Sequence, residues 1–210
     1  GKIDFTNNKN YQDLSEGETL TGSILVRVTD KFGAATYKPL TVTITGVQDN
    51  STWQLTTTDK TTYEYTDGQT EIPADSTLHF NDIDTRDTHN VLLPNTVKLT
   101  VGGDTVNDVH IDSTSGVVTI GSGEDAKNIG TLVATVNETD KTVSYKFVPN
   151  SDYLTSLGAD VKAELTAKLQ LQDISFDREN TFNTVTQDVT ITLKGKNEDS
   201  LWVPQEGDKT

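Results

Sequence analysis

The stretch Gly46-Val47-Gln48-Asp49-Asn50 is a short acidic and amide-rich turn between two strand-rich regions of the chain. A related turn, Gly195-Lys196-Asn197-Glu198-Asp199, occurs near the other end. The leading glycines are 149 residues apart (195 − 46), and so are the following tryptophans, Trp53 and Trp202 (202 − 53). A long fixed period in a strand-rich chain is typical of similar domains in tandem.

This period divides the chain into four segments. We expect residues 1–46 to be the C-terminal part of a preceding β-sandwich, 47–52 an acidic calcium-binding linker, 53–195 one complete sandwich, and 196–210 a linker and the start of the next repeat. The internal alignment pairs Phe5 with Phe147, residues 14–17 with 157–160, Asp30 with Asp173, and Gly46 with Gly195. Because three strands are too few for a stable domain, residues 1–46 should be poorly packed or should borrow strands from another chain.

Period-two alternation sets the fold class. Ile24, Val26 and Val28 alternate with other residues along one predicted strand, and a second strand over residues 40–45 alternates with threonines. Short strands, frequent turns and no long amphipathic helix predict an all-β, antiparallel Greek-key sandwich of the immunoglobulin or cadherin type. Residues 153–167 are expected to hold at most one helical turn, with strand in their second half. The strands predicted after the linker are 53–56, 77–80, 97–101, 117–120, 131–136, 143–148, 162–171 and 185–193.

Composition limits the partners. The net charge is −15, from 32 acidic and 17 basic residues, so phosphate would be repelled and nucleic acid is not expected to bind. Abundant carboxylates suit multivalent cations better. The chain has no cysteine, so a secreted domain of this kind must be held by its core, a metal or its neighbours. No apolar run approaches the ~20 residues needed to cross a bilayer, and we expect no membrane insertion.

Several motifs resemble a known family. Residues 17–21 (GETLT), 26–30 (VRVTD) and 41–46 (TVTITG) resemble the closing half of VCBS and bacterial cadherin-like repeats, and residues 80–89 (FNDIDTRDTH) resemble the acidic segment near the start of such a repeat. These repeats build the stalks of RTX-type bacterial surface adhesins. The usual Asn-Asp-Ala-Pro linker is replaced by Gln48-Asp49-Asn50-Ser51, and the second copy has Glu198 where aspartate is expected.

The resemblance implies a secreted or cell-surface protein without enzymatic activity. It implies partners in the neighbouring repeats of the same chain and a role in cell adhesion and biofilm formation. The contact with a host surface or biofilm matrix would be made by other domains of the parent protein.

The acidic run points to calcium. Asp82, Asp84 and Asp87 place several carboxylates in one predicted loop, and Ca²⁺ takes six to eight oxygen ligands. Alternating strand directions bring this loop to the linker end, beside Asp49. The predicted ligands are therefore Asp49, Asp82, Asp84 and Asp87, joined by Asp173, Asp177, Glu16 and Glu18. An equivalent exit junction would use Asn197, Glu198 and Asp199, with Asp160 as a further candidate, whereas Asp30 should lie at the opposite end of its own domain.

Simpler interpretations compete with calcium. The acidic run also fits a solvated turn, because aspartate favours turns. The three histidines, His79, His89 and His110, lack zinc-site spacing, and His89 reads as a surface group or a partner of the acidic loop. No nucleophile elbow is present. Trp53 and Trp202 are expected to pack at the start of each domain rather than stack on sugars.

Two functions remain open from the sequence. The first is a calcium-stiffened extender segment of an adhesin. The second is a ligand-binding module for a glycan or host protein, in an adhesin or in a secreted polysaccharide-degrading enzyme. Residues 92–141 exceed what a minimal sandwich needs and would supply that binding surface, but they contain no Trp, Tyr or Phe.

Overall fold

The computed structural model describes residues 11–68, 76–176 and 182–196. Among these, the chain forms a long hairpin, a short linker and a β-sandwich. The hairpin is β1 Thr19–Thr29 and β2 Ala35–Thr45. The sandwich contains β3 Thr52–Trp53, β4 Thr62–Thr66, β5 Ser76–Asn81, β6 Thr88–Leu92, β7 Val97–Val101, β8 Asp104–Val106, β9 Val109–Ile111, β10 Val117–Ile120, β11 Lys127–Asn137, β12 Thr142–Pro149, β13 Lys162–Ile174 and β14 Phe182–Lys194.

The hairpin pairs in unbroken register from Thr19 opposite Thr45 to Thr29 opposite Ala35. At its tip, one carboxylate oxygen of Asp30 accepts the backbone N–H groups of Phe32 and Ala34, each at 2.9 Å. Gly33 takes the left-handed conformation that closes this turn, at φ +91°. Asp30 is thus at the far end of the hairpin from the linker, as the sequence predicts.

Two sheets pack face to face to form the sandwich. One sheet has the strand order β3-β5-β12-β11-β10-β9, and the other has the order β4-β14-β13-β7-β8 with β6 also paired to β13. All pairs are antiparallel except β4 with β14. Along β13, every second side chain from Ala163 to Leu171 is fully buried, which is the period-two pattern of a strand with one face in a core. The predicted all-β antiparallel sandwich is confirmed.

Each strand predicted after the linker has an observed counterpart, with some changes of extent. The first covers only Thr52–Trp53, although the Gln54 N–H makes one further hydrogen bond to the His79 carbonyl of β5 at 2.9 Å. Helix α1, Ser151–Ser156, is capped by the Asn150 side chain, which accepts the Tyr153 N–H at 3.1 Å. The segment 92–141 contributes β7 to β11, so its additional residues extend both sheets.

The hairpin β1–β2 has the same local architecture as the closing hairpin β13–β14 of the sandwich. Gly46 N–H donates to the Glu18 carbonyl at 2.8 Å, and Gly195 N–H donates to the Val161 carbonyl at 3.0 Å. A methyl group on Gly46 would lie 2.3 Å from the Leu14 carbonyl oxygen, and one on Gly195 would lie 2.6 Å from that of Leu157. Both glycines therefore allow the end of a strand to cross the loop that begins the hairpin.

The registers of the two hairpins also correspond. Thr19 opposes Thr45 at the base of one, and Lys162 opposes Lys194 at the base of the other. The offset is 143 residues along the first strand and 149 along the second, so the β13–β14 hairpin is six residues longer (149 − 143), and two of these residues extend β13 while two extend β14.

Phe147 is buried in the core, and Trp53 is partly buried and packs against that core. Phe5 and Trp202 lie outside the described residues. None of the helices in the described ranges has the length and apolar character that a membrane span requires.

Candidate metal centre

Four segments of the chain meet where the hairpin joins the sandwich. They are the linker, the loop between β5 and β6, the C-terminal end of β13, and the turn between β11 and β12. The contacts are direct: the Asp49 N–H donates to Asp84, and the Ser51 N–H donates to Asp173. Strand direction explains the meeting, because β5, β11 and β13 all end on the side where the linker enters the sandwich.

Three carboxylates at this junction share one arrangement. One oxygen of each accepts a backbone N–H: Asp82 from Asp84 at 3.0 Å, Asp84 from Asp49 at 2.8 Å, and Asp173 from Ser51 at 2.9 Å. The other oxygen of each is buried and accepts no hydrogen bond. A buried acceptor without a partner costs about 1–3 kcal/mol, and more when it is charged. Asp82 and Asp173 bring ligand atoms within 4.8 Å of each other and of a His89 nitrogen, and such a group favours a positive partner.

Gln48 connects two further groups to the cluster. Its Nε2 donates to Asp87 at 2.7 Å and lies 3.4 Å from Asp173, whereas its Oε1 is buried without a hydrogen bond. Asp87 also accepts the Phe176 N–H at 3.0 Å, so both of its oxygens hold protein donors. Asp87 thus anchors the loop to the linker and to the end of β13, and Gln48 contributes one more buried oxygen that accepts no hydrogen bond.

His89 is buried at the base of the cluster rather than lying on the surface. Its Nδ1 lies 3.0 Å from Glu138, and its Nε2 lies 2.7 Å from the Ser51 hydroxyl. Nε2 is also 2.9 Å from the unpaired oxygen of Asp82, an ion-pair contact in which the N–H is not aligned on the oxygen. Burial lowers the pKa of His89, but its contacts with the Asp82 and Glu138 carboxylates outweigh burial and raise the pKa above its ordinary value.

The carboxylates repel one another. Burial, together with the charges of Asp87, Asp82 and Asp49, raises the pKa of Asp84 to about 6. Burial and the neighbouring charges of Asp82 and Asp87 also raise the pKa of Asp173. The charged form of each group is therefore disfavoured in the folded state, and a bound cation would remove that cost.

The ligand set fits a hard divalent cation. Carboxylate and amide oxygens are the ligands that Ca²⁺ takes, and Asp82, His89 and Asp173 each offer a ligand atom within 4.8 Å of the other two. His89 already contacts Glu138, Ser51 and Asp82 through its two ring nitrogens, so oxygen atoms remain as the unengaged donors. The residues that would hold the ion are Asp82 and Asp173, whose ligand atoms lie within 4.8 Å of each other, and the neighbouring Asp84 and Gln48 each have a further oxygen without a hydrogen bond.

The remaining predicted ligands have mixed positions. Asp49 reaches the cluster through its backbone N–H, and its charge acts on Asp84. Glu16 accepts the Ser175 hydroxyl at 3.5 Å. Glu18 pairs with Arg86 at 3.2 Å and accepts the Ser15 N–H, so it is engaged by protein donors. Asp177, Asn197, Glu198 and Asp199 lie outside the described residues. Asp160 lies before β13 begins, at the end of the sandwich away from the linker.

A second set of contacts ties the hairpin loop to the sandwich without a metal. The Arg86 guanidinium lies 3.4 Å from the centre of the Phe176 ring and pairs with Glu18. The Arg86 N–H donates to the Ser15 hydroxyl at 3.2 Å, and the Thr85 hydroxyl donates to the Asp13 carbonyl at 3.2 Å. The acidic loop therefore holds the hairpin loop on one side and the cluster on the other.

Three contributors were not predicted from the sequence, namely Gln48, Ser51 and Glu138, and His89 was expected to be either a surface group or a partner of the acidic loop. A signal for Glu138 was present, because the turn that follows β11 lies at the same end as the linker by alternation of strand direction. Gln48 and Ser51 flank the predicted ligand Asp49 directly. The burial of His89 had no local signal, since it depends on the packing of β6 against β13 and on an aromatic contact 4.6 Å from Phe80.

No protein-family model matches the chain, and no curated protein matches it. Among solved structures, the human desmocollin-1 ectodomain matches with 15% sequence identity and a TM-score of 0.32, over 86% of this chain. The aligned part spans 28% of that ectodomain. The assignment of this chain to the antiparallel β-sandwich fold rests on its own two sheets.

Proposed function

We propose that this chain is a calcium-stiffened structural segment of a secreted, cell-surface adhesin. The observation that carries the proposal is the set of buried oxygens on Asp82, Asp84 and Asp173 that accept no hydrogen bond at the junction between hairpin and sandwich. A divalent cation there neutralises the converging carboxylates and fixes the linker against the sandwich. Without a cation, repulsion among the same groups loosens the junction.

The protein's own residues prepare the junction. The backbone N–H groups of Asp49 and Ser51 hold one oxygen each of Asp84 and Asp173. These hydrogen bonds link the conformation of the linker to the carboxylates that would bind the ion. Ion binding and linker order are therefore one equilibrium, and the ion acts on the angle between the two units rather than on the sandwich core.

We propose a mechanical role without enzymatic activity. The hairpin would be the closing pair of a preceding repeat, and neighbouring repeats of the same chain would be the partners at each junction. Attachment to a host surface or biofilm matrix would be made by other domains of a longer parent. The glycan-binding alternative gains no specific support, because residues 92–141 extend the sheets and offer no aromatic ring for sugar stacking.

The test is the spread of distances across the junction. The chain has no cysteine, so spin labels can be placed at Phe32→Cys, on the hairpin tip, and Asp104→Cys, at the far end of the sandwich. Labelled protein is diluted with unlabelled protein to suppress distances between copies. We expect a narrow distribution in millimolar Ca²⁺ and a broad one in chelator, and equal widths in the two conditions would overturn the proposal.

Two other ions distinguish the chemistry of the site. Mg²⁺ prefers a near-ideal octahedron and keeps several waters, so Mg²⁺ at the same concentration should not narrow the distribution. Zn²⁺ binds imidazole well. If Zn²⁺ narrows the spin-label distance distribution and Ca²⁺ does not, the site would be assigned to a transition metal held through His89.

A further inference from the structure

An imidazole lies among the carboxylates of the junction, which widens the range of ions that the site can bind. Asp82, His89 and Asp173 each offer a ligand atom within 4.8 Å of the other two. The side chains of Asp82 and His89 have no solvent exposure, and Asp173 is 1% exposed. Each of the two aspartates keeps a buried oxygen that accepts no hydrogen bond. Two carboxylates and one imidazole form a ligand set of the kind that Zn²⁺ takes in proteins.

The second donor atom of each of these side chains is held by the protein. Asp82 and Asp173 each accept a backbone N–H through one oxygen, at 3.0 Å and 2.9 Å. The Nδ1 atom of His89 lies 3.0 Å from the Glu138 carboxylate. Because an ionised carboxylate only accepts hydrogen bonds, Nδ1 donates to Glu138 and Nε2 is the nitrogen that can bind a metal. Contacts of this kind orient the ligands of metal sites in proteins.

The separations of the ligand atoms suit a small, four-coordinate ion. Bonds of ~2.1 Å from Zn²⁺ to nitrogen and oxygen place the ligands of a tetrahedral site ~3.4 Å apart. The His89 Nε2 and the Asp82 oxygen are 2.9 Å apart, and every pair in the group is within 4.8 Å. Side-chain adjustments of ~1 Å would therefore complete a tetrahedral shell.

The charges of the group also fit Zn²⁺. The carboxylates of Asp82 and Asp173 carry two negative charges, and a neutral imidazole adds none. The complex with a divalent ion is therefore neutral, which favours its burial because a buried charge is stable only when it is compensated.

We propose that Asp82, His89 and Asp173 bind Zn²⁺ at the junction, in competition with Ca²⁺. Glu138 is the positioning residue of this site, because it holds His89 through Nδ1. Zn²⁺ replaces the contacts of Nε2 with Ser51 and Asp82, and a water or the Ser51 hydroxyl takes the fourth position. The Zn²⁺ site depends on these contacts alone, whereas its competition with Ca²⁺ rests on the proposed function.

The two ions use overlapping but different residues. Ca²⁺ takes six to eight oxygens, so it also draws on neighbours such as Asp84 and Gln48, each of which has a buried oxygen without a hydrogen bond. Zn²⁺ needs His89 and neither of these neighbours. His89→Gln should therefore weaken Zn²⁺ binding and largely spare Ca²⁺, Asp84→Asn should do the reverse, and Asp173→Asn should weaken both.

Calorimetric titration of the chain with Zn²⁺, in a buffer that does not bind metals, tests the site. We expect saturable binding of one ion, weakened at least tenfold by His89→Gln. The matched control is His79→Gln. The Nδ1 atom of His79 also lies 2.6 Å from a carboxylate, that of Asp59, but among the described residues His79 belongs to no group of three metal-ligating side chains. No binding by the unsubstituted chain, or equal losses in the two histidine variants, would overturn the proposal.

Glu138→Gln tests the site without altering the buried imidazole. Glu138 lies on a turn and its side chain is 41% exposed, so this variant should fold even if His89→Gln does not, and thermal melting of both variants checks this. Loss of a carboxylate that orients a metal-bound histidine costs about 10–100-fold in metal affinity. We expect a loss of this size for Zn²⁺ and a much smaller change for Ca²⁺. Unchanged Zn²⁺ affinity, or equal losses for both ions, would contradict the positioning role.

Titration of the Zn²⁺-loaded chain with Ca²⁺ tests the competition. Saturating Zn²⁺ should lower the apparent Ca²⁺ affinity at least tenfold in the unsubstituted chain and have little effect in His89→Gln. If both ions bind without competing, the shared site is wrong. If Zn²⁺ binds and Ca²⁺ does not, the proposed function fails and the Zn²⁺ site stands. If Ca²⁺ binds and Zn²⁺ does not, the proposed function stands and this inference fails.

Discussion

At the residue scale, the junction is defined by three carboxylates that are only partly satisfied by hydrogen bonds. Asp82, Asp84 and Asp173 each satisfy one oxygen with a backbone N–H and leave the other buried without a hydrogen bond. Folded proteins keep such orphaned acceptors rarely, and most often where an ion or a function requires them. Each substitution at the cluster should therefore have opposite effects with and without the cation.

Asp173→Asn tests this reversal. Asparagine keeps an oxygen for the Ser51 N–H and replaces the other carboxylate oxygen with the NH₂ group of a neutral amide. In chelator we expect the melting temperature to rise by a few degrees, or ~1 kcal/mol. In Ca²⁺ we expect affinity to fall about tenfold or more, which is ~1.4 kcal/mol per decade. The control is Asp30→Asn, the equivalent aspartate of the hairpin. A change of the same sign in both conditions would contradict the account.

The pH dependence in chelator follows from three groups whose pKa values are raised in the folded chain: Asp84, Asp173 and His89. The folded state binds their protons more tightly than the unfolded state, so stability increases as pH falls. For Asp84, with a pKa of about 6, the gain between pH 7.5 and 5.5 is roughly 1 kcal/mol. Thermal melts across this range should show a rising midpoint toward acid, and a falling midpoint would contradict the assignment.

In saturating Ca²⁺ we expect the opposite pH dependence, with stability decreasing as pH falls. Protons compete with the cation for Asp84 and Asp173, so calcium affinity should decrease as pH falls through about 6.

At the element scale, each hairpin ends in a glycine, Gly46 or Gly195, whose backbone passes close to the loop that precedes the hairpin. Gly195→Ala would bring a methyl group within 2.3 Å of the Gly158 carbonyl oxygen. Overpacking of this kind costs about 1–3 kcal/mol, which lowers the melting temperature of a domain this size by several degrees. Gly158→Ala is the control in the same loop, because its methyl group would meet only Val161 at 3.4 Å. Equal melting of the two variants would contradict the close-approach explanation.

The loop that carries Arg86 is the second element on which the junction depends. Arg86→Ala removes both the stacking on Phe176 and the ion pair with Glu18, whereas Arg86→Lys keeps the charge and loses the planar stack. The pair with Glu18 is partly exposed and contributes ~0.5 kcal/mol, so stacking should account for most of the effect. In chelator we expect the Ala variant to broaden the spin-label distance distribution across the junction, and the Lys variant to broaden it nearly as much. No broadening would show that this contact does not restrain the hairpin.

At the scale of the whole molecule, the sequence predicted the sandwich because its signals are local. Alternation along β13 and β14 and turn glycines such as Gly116 mark strands regardless of tertiary context. The short edge strands β4, β6, β8 and β9 escaped prediction, because three to five residues with mixed exposure carry little periodicity.

Part of the candidate site was also predictable, because some of its residues lie in a local sequence motif. Asp49, Asp82, Asp84 and Asp173 followed from one acidic motif and from strand direction. The roles of His89 and Glu138 depend on which strands become neighbours, and a single sequence does not specify that pairing. The engagement of Glu18 by Arg86 likewise depends on how the hairpin loop sits against the sandwich.

The most direct test of the central claim is calorimetric titration of the chain with Ca²⁺, read beside thermal melting with and without chelator. The account predicts saturable binding in the micromolar to millimolar range, with a higher melting temperature in Ca²⁺. No binding heat and an unchanged melt would contradict it, and the buried unpaired carboxylates would then need another explanation.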